Sequence, residues 1–193
     1  PKTCDWLLLR EEPLIVLAYL PAVTRRVLLG TTVYLLPLRN PLLAARQAVS
    51  LDRLSDGRLV LGVGAGWLET EFDAVGVPYR QRGRRTDEAI AMLKSLCGAD
   101  GGAFLPKPVQ RPHPPLWQAA VNRDTIRRVA RKGVGVLLNA FVDAAEAKFW
   151  VDEYYRVLEE ECVPVGLAVN PAINAVVGFM CCRTEEEAIS TGL

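Results

Sequence analysis

Val27 to Trp67 reads VLLGTTVYLLPLRNPLLAARQAVSLDRLSDGRLVLGVGAGW, a strand, a turn, a helix, a stop and a second strand. Val27–Leu35 is nearly continuous apolar and β-branched, the pattern of a strand buried on both faces in a parallel sheet. Asn40 is a helix N-cap, and Pro41 takes the first helical position, where its missing N–H costs nothing. Leu42, Ala45, Ala48 and Val49 share one helical face and are expected to turn inward. Gly57 closes the helix as a residue free to adopt the left-handed conformation. Leu59–Val63 is the second strand. Two apolar strands joined by a crossover helix form a βαβ unit with parallel neighbours.

The same alternation extends to both sides. Upstream, a short strand is expected over Asp5–Leu9, then a helix over Glu11–Val23 with Leu14, Leu17, Ala18 and Leu20 facing inward. Downstream of Trp67, a short helix and a loop are followed by an amphipathic helix over Thr86–Leu96, with Ile90, Met92 or Leu93, and Leu96 as its apolar side. Gly98–Pro115 holds three glycines and five prolines, so it reads as a long connection within one domain. Then come a strand over Leu116–Ala120, a helix over Asn122–Arg131 stopped by Gly133, and a strand over Gly135–Leu138. Asp143 with Glu146 forms a capping box that opens a helix to Glu161. Ile173–Cys182 is a last long strand, and Thr184 with Glu187 caps another helix.

About six strands alternate with five or six helices, which predicts an α/β fold with a parallel sheet. A doubly wound open sheet and a (β/α)8 barrel both satisfy that pattern. A barrel typically takes about 250 residues, so a barrel of 193 residues would be incomplete.

Half of the residues are hydrophobic and the net charge is +1, which supports a sizeable core and an ordinary mixed surface. The only basic cluster, Arg80–Arg85, runs straight into Thr86, Asp87 and Glu88, unlike the concentrated face of a nucleic-acid binder. Cys4, Cys97, Cys162, Cys181 and Cys182 show no C-x-x-C or Cys/His ligand spacing, so no metal site is expected. With no signal peptide and no run long enough to span a bilayer, the expected compartment is the cytoplasm and no membrane partner is expected.

Gly62-Val63-Gly64-Ala65-Gly66-Trp67 follows a strand but fails the dinucleotide fingerprint, which needs glycine where Trp67 stands. Its glycines permit close approach to the backbone at the carboxyl end of a strand, where α/β proteins of both topologies place ligands. Val121-Asn122-Arg123-Asp124-Thr125 opens a helix at another strand's carboxyl end. Its exposed N–H groups could hold a phosphate, or the turn is an ordinary N-cap. The lone histidine, His113, reads as a structural loop residue. Asp52, Asp56, Asp87 and Glu88 read as surface or packing contacts, and no acid/base or nucleophile set is assembled. Trp67, Trp117 and Phe141 stand at strand ends, where aromatics wall a pocket or pack the core.

Three blocks, residues 25–67, 71–90 (EFDAVGVPYRQRGRRTDEAI) and 106–120 (PKPVQRPHPPLWQAA), closely resemble the bacterial-luciferase-like flavin-dependent monooxygenases and oxidoreductases. The resemblance covers most of Asp5–Ile189 and is most specific in LSDGR-LVLGVGAGW. It implies a TIM (β/α)8-type barrel, with about six of the eight βα units present in a single domain over residues 1–193. It also implies FMN, or the deazaflavin F420, as cofactor. Oxygen activation or hydride transfer on a small organic substrate, a homodimer, and a separate flavin reductase as electron donor are implied as well.

Carried over by position, Gly30, Thr31, Thr32 and Val33 match the segment beneath the flavin ring, where the family often has a non-prolyl cis peptide, here Thr32–Val33. Gly64 and Ala65 match a strand end lining the flavin. Asn122, Arg123, Asp124 and Thr125 match the phosphate-binding turn. The chain departs from the family in lacking its first strand and its last βα unit. The polar, often His-containing segment that follows Leu9 in relatives is replaced by Arg10-Glu11-Glu12. These departures leave two alternatives to an active monooxygenase: a catalytically silent flavin-binding module, or a barrel remnant that binds nothing.

Overall fold

The computed structural model describes residues 11–97, 106–138, 142–166, 168–175 and 182–192. The strand expected over Asp5–Leu9, Phe141, and residues 176–181 of the expected last strand lie outside the described residues; Cys182, its expected end, is in no strand. Chain order is α1 (Pro13–Val23), β1 (Leu29–Gly30), β2 (Tyr34–Leu35), α2 (Pro41–Leu54), β3 (Leu59–Gly64), α3 (Glu69–Ala74), α4 (Arg82–Cys97), β4 (Leu116–Ala120), α5 (Arg123–Arg131), β5 (Gly135–Leu138), α6 (Ala144–Glu161), β6 (Ile173–Ala175) and α7 (Glu185–Gly192). The sheet runs β1-β3-β4-β5-β6, with β2 also on β3, and every pairing is parallel. This is the α/β arc of an incomplete TIM-type barrel.

The strand expected over Val27–Leu35 is instead two short ladders. Leu29 and Gly30 pair with Leu59 and Val60, whereas Tyr34 and Leu35 pair with Val63 and Gly64. Four residues advance on one strand while three advance on the other, so one extra residue is inserted, as in a β-bulge. The insertion reverses side-chain parity. Leu29 and Tyr34, which an unbroken strand would turn to opposite faces, are both buried, at 2% and 1% exposure. The Thr32–Val33 peptide between the ladders is cis. Val27 and Leu28 lie outside the strand and are exposed.

Alternation along the other strands sorts two faces. Leu59, Leu61, Val63, Leu116, Ala120, Val136 and Leu138 lie in one core with α2, α4, α5 and α6. Val60, Gly62, Trp117, Leu137 and Asn174 face the barrel lumen.

The helix ends follow the sequence closely. The Asn40 side chain accepts from Leu42 N and Leu43 N, and Gly57, at φ +74°, donates its N–H to the Asp52 carbonyl at 2.8 Å. On α2 the inward residues are Ala44, Ala45, Ala48, Val49, Leu51 and Asp52, while Leu42, expected inside, is 40% exposed. Leu42 sits in the first turn, ahead of where the helix meets the sheet. On α1, Leu14 is buried and Leu17 and Leu20 pack against the core, but Ala18 is exposed. Helix α4 starts at Arg82 and buries Ile90 and Leu93, leaving Met92 at 40% exposure. Among the described residues, no helix is long and apolar enough to cross a membrane.

Candidate functional site

The segment between β1 and β2 is pressed against β3. Thr31, 4% exposed, donates its hydroxyl to the Gly62 carbonyl at 2.7 Å. A Cβ on Gly62 would stand 2.0 Å from Thr31 O, and one on Gly64 would stand 2.4 Å from Val33 Cγ2. The glycines of β3 therefore admit the Thr31–Val33 backbone and side chains, where the sequence had assigned their space to a ligand. Gly66, at φ +79°, is closed off by the Phe72 ring in the same way. Gly30 differs: a Cβ there would have only Val60 as a neighbour, at 3.7 Å or more.

Gly30, Thr31 and Thr32 line a hollow of about 470 Å3 with Gly62, Trp117, Leu137 and Asn174. Its size falls within the range of small-molecule sites, and its wall is apolar with a few amides and one indole. Of the two described tryptophans at strand ends, Trp117 faces this hollow and Trp67 is 69% exposed. Val33, Gly64 and Ala65 are outside the hollow's lining. Val33 and Gly64 pack on one another at the carboxyl ends of β2 and β3, with Ala65 following.

Asn122 stands two residues past the end of β4 and caps α5. Its Oδ1 accepts from both Thr125 N and Thr125 Oγ1, each at 2.9 Å. The N–H groups of Arg123 and Asp124 have no partner among the described residues, as is usual in the first turn of a helix. The Arg123 side chain turns away from the turn and onto α6. Its guanidinium forms a two-pronged pair with Glu146, at 2.8 and 2.5 Å, and lies 4.0 Å over the Phe149 ring. Glu146 also accepts from the Trp150 indole. The Arg123 guanidinium and then the indole hold its carboxyl well below the usual range, at about 2. The capping box is thus half formed: Asp143 accepts from Glu146 N at 2.8 Å, but the Glu146 carboxylate is committed elsewhere. Asp124 pairs with Arg127 at 3.5 Å. Of the four turn residues, Asn122 and Thr125 form the local geometry, and the Arg123 and Asp124 side chains are engaged outside it.

Asp52 is a polar anchor that the sequence reading placed only as a packing contact. It is fully buried; Oδ2 accepts from Val109 N at 2.7 Å and Gln110 N at 3.0 Å, and Oδ1 from Gln110 Nε2 at 2.7 Å. The same Gln110 amide donates to the Leu59 carbonyl. A sequence signal existed: a carboxylate on the Ala45, Ala48, Val49 stripe is out of place unless donors meet it. At the start of α1, Glu12 accepts from Leu14 N and pairs with Arg39 at 2.6 Å, and the Arg39 guanidinium lies over the Tyr34 ring. His113 is buried in its loop with Nδ1 2.9 Å from the Pro114 carbonyl, a structural placement. Burial pushes the Cys97 thiol up to about 11, which removes it as a thiolate nucleophile.

Comparison with family models matches residues 3–191 to the luciferase-like monooxygenases. The chain belongs to that family. Among characterised luciferase-like relatives, it is 32% identical over 166 residues to the FMNH2-dependent dimethylsulfone monooxygenase of Pseudomonas putida, covering 77% of this chain and 43% of the relative. Among solved structures, a monooxygenase from Streptomyces bottropensis superimposes with a TM-score of 0.79 at 26% identity, over 94% of this chain and 58% of that one. The coenzyme F420-dependent tetrahydromethanopterin reductase of Methanopyrus kandleri shares the fold, with a TM-score of 0.73 at 19% identity over 94% of this chain and 58% of its own. The chain spans about half the length of the luciferase-like proteins it matches.

Proposed function

We propose that this protein is a flavin-dependent oxidoreductase, a luciferase-like monooxygenase that uses reduced FMN, or F420, and oxygen on a small organic substrate. The observation that carries the reading is the hollow at Gly30–Thr32, bounded by Gly62 and Trp117, in a chain of this family. Its residues fit a flat ring: Gly30 leaves its side of the wall open, and Val60, Trp117 and Leu137 offer apolar surface. When bound, the flavin supplies the electrons that activate oxygen; the protein's share is to bind, orient and exclude water. The bulge between β1 and β2 fixes the Thr31–Thr32 edge of the hollow through the Thr31–Gly62 hydrogen bond. Asn122 and Thr125 hold the first turn of α5 so that the N–H groups of Arg123 and Asp124 point outward, a phosphate-binding arrangement. Gly64, Ala65 and Val33 form the adjoining strand-end rim.

FMN is favoured over F420 by the relative named for its FMNH2 dependence, the more similar of the two cofactor-named proteins. A homodimer, a separate flavin reductase and a cytoplasmic location complete the reading by family likeness.

Fluorescence titration of the purified chain with FMN and, separately, with F420 tests it. Saturable quenching at micromolar ligand is expected, and Asn122→Asp should weaken it. That variant keeps the helix cap but sets a negative charge at the phosphate position. No quenching by either cofactor in a folded sample would remove the flavin assignment. Binding without oxygen consumption in the presence of a reductase would leave a flavin carrier and not an oxygenase.

A further inference from the structure

Across the lumen face of the sheet, one row of paired residues runs Gly62 on β3, Trp117 on β4 and Gly135 on β5. Residues in register in a parallel sheet point to the same face, so this row carries one side chain over three strands. Layers inside a (β/α)8 barrel are normally filled by bulky branched residues. The room beside Gly62 is already taken: a Cβ there would stand 2.0 Å from Thr31 O and 2.9 Å from Leu137 Cδ1. The room beside Gly135 is taken by the tryptophan itself. A Cβ on Gly135 would stand 2.8 Å from Trp117 Cδ2 and 3.0 Å from Trp117 Cε3. The six-membered ring of the indole therefore lies over the Gly135 backbone. Gly135 is buried and does not line the hollow, whereas Trp117 does. Asn170 crowds the same space, with its Nδ2 2.6 Å from where that Cβ would be. That amide donates to Leu116 O at 3.0 Å, and the Asn170 backbone N–H donates to Gly133 O at 2.8 Å. Asn170 is thus tied to the residues ahead of Trp117 and Gly135 on both strands.

We propose that Gly135 is a positioning residue for Trp117. By leaving room for the indole to lie back across β5, it makes that ring the wall on which a planar, fused aromatic ring stacks in the hollow. With a side chain at position 135 the indole has to turn into the hollow, because the Gly62 side is filled, and it then occupies the ligand's place. Recognition at this wall is by ring face and shape, and it needs no phosphate. The proposal rests on the reading of the hollow as a ring site. It goes beyond that reading in assigning the wall, and the residue that holds it, independently of the Asn122–Thr125 turn.

The test is a titration with lumiflavin, the isoalloxazine ring with a methyl group in place of the ribityl phosphate, followed by the ligand's own emission, with FMN run alongside. Saturable lumiflavin binding is expected. Gly135→Ala should weaken it by at least about tenfold, since overpacking a filled site forces the ring to move. Trp117→Ala should weaken it roughly twofold to tenfold through the lost stack. In the doubly substituted chain, removing the indole should restore part of what Gly135→Ala lost, a coupling that independent sites do not show. A Gly135 that merely supports the strand would give losses that add, and additive losses overturn the proposal. If Gly135→Ala does not fold, Trp117→Phe carries the test: it keeps a ring and should bind lumiflavin more tightly than Trp117→Ala, and equal losses overturn the proposal. FMN binding without lumiflavin binding overturns the wall and leaves the flavin assignment standing. Lumiflavin binding with the expected coupling but without FMN binding supports the wall and removes the FMN assignment. Binding of neither overturns both.

Discussion

The two halves of the candidate site are built from opposite materials. At Gly30–Val33 and β3, position is set by missing atoms: the bulge closes on Gly62 and Gly64 because no Cβ stands in the way. At the start of α5, position is set by charge and hydrogen bonds, from the Asn122 cap to the Arg123–Glu146 pair and the arginine–glutamate contacts that continue along α5 and α6. The first half contains no titratable group and tolerates no added volume at Gly62 or Gly64. The second tolerates volume and answers to pH and salt.

The sharpest way to break the contrast is Gly62→Ala. A Cβ 2.0 Å from a backbone oxygen cannot be accommodated by a side-chain turn, so a loss of at least about 3 kcal/mol is expected in denaturant unfolding. Wild-type stability in that variant would mean that the bulge does not touch β3. Asn122→Ala removes one cap and should cost about 1 kcal/mol, with flavin affinity falling as the turn frays. Gly30→Ala should change stability by no more than about 0.5 kcal/mol, because its Cβ meets only ordinary contacts. It should still weaken flavin binding by narrowing the hollow, and unchanged affinity would place the ring elsewhere.

Acid sharpens the contrast in the other direction. Glu146 and Glu153 are each held at about 2, the first by Arg123 and then Trp150, the second by Arg156 and then Arg127. A carboxylate depressed in the fold contributes its stabilisation above its unfolded pKa of about 4.3 and loses it as pH falls through the folded value. The α5–α6 pairing should therefore be constant from neutral pH to about 4.3 and weaken between there and about 2. Amide exchange resolved by residue would show α5 opening first, with β3 amides following only on global unfolding. The smallest effect is expected from Glu146→Gln at neutral pH: a slight fall in the melting midpoint, with less sensitivity to added salt than the unaltered chain shows.

Where the determinants are local, the sequence was legible. Strands β4 and β5 fall at the residues their apolar runs predict, and Asn40, Asn122 and Asp143 cap the helices they precede. Where the determinant is a distant partner, it was not. Val27–Leu35 has the hydropathy of one strand, and nothing in it shows that β3 will pair with it in two registers. Gly62 and Gly64 look alike whether their empty side holds a ligand or a neighbouring backbone; only the position of Thr31–Val33 decides. Arg123 looked like a phosphate ligand because Glu146 is 23 residues away. The resemblance did place the cis Thr32–Val33 bond, which no propensity scale contains.

The Asp52 anchor has a consequence for the order of events on the ribosome. Its three donors come from residues 57 and 58 positions further along the chain. At roughly 5–20 residues per second, translation delivers them about 3–12 s after Asp52 itself. Until then, Asp52 on the inner face of α2 has none of these donors, and packing it against β3 would bury it unpaired. The first βαβ unit is complete in sequence by Gly64, but its closure over a buried Asp52 is expected only once Gln110 has arrived. Its growth is therefore held open, as a nascent chain, for the second half that it must join.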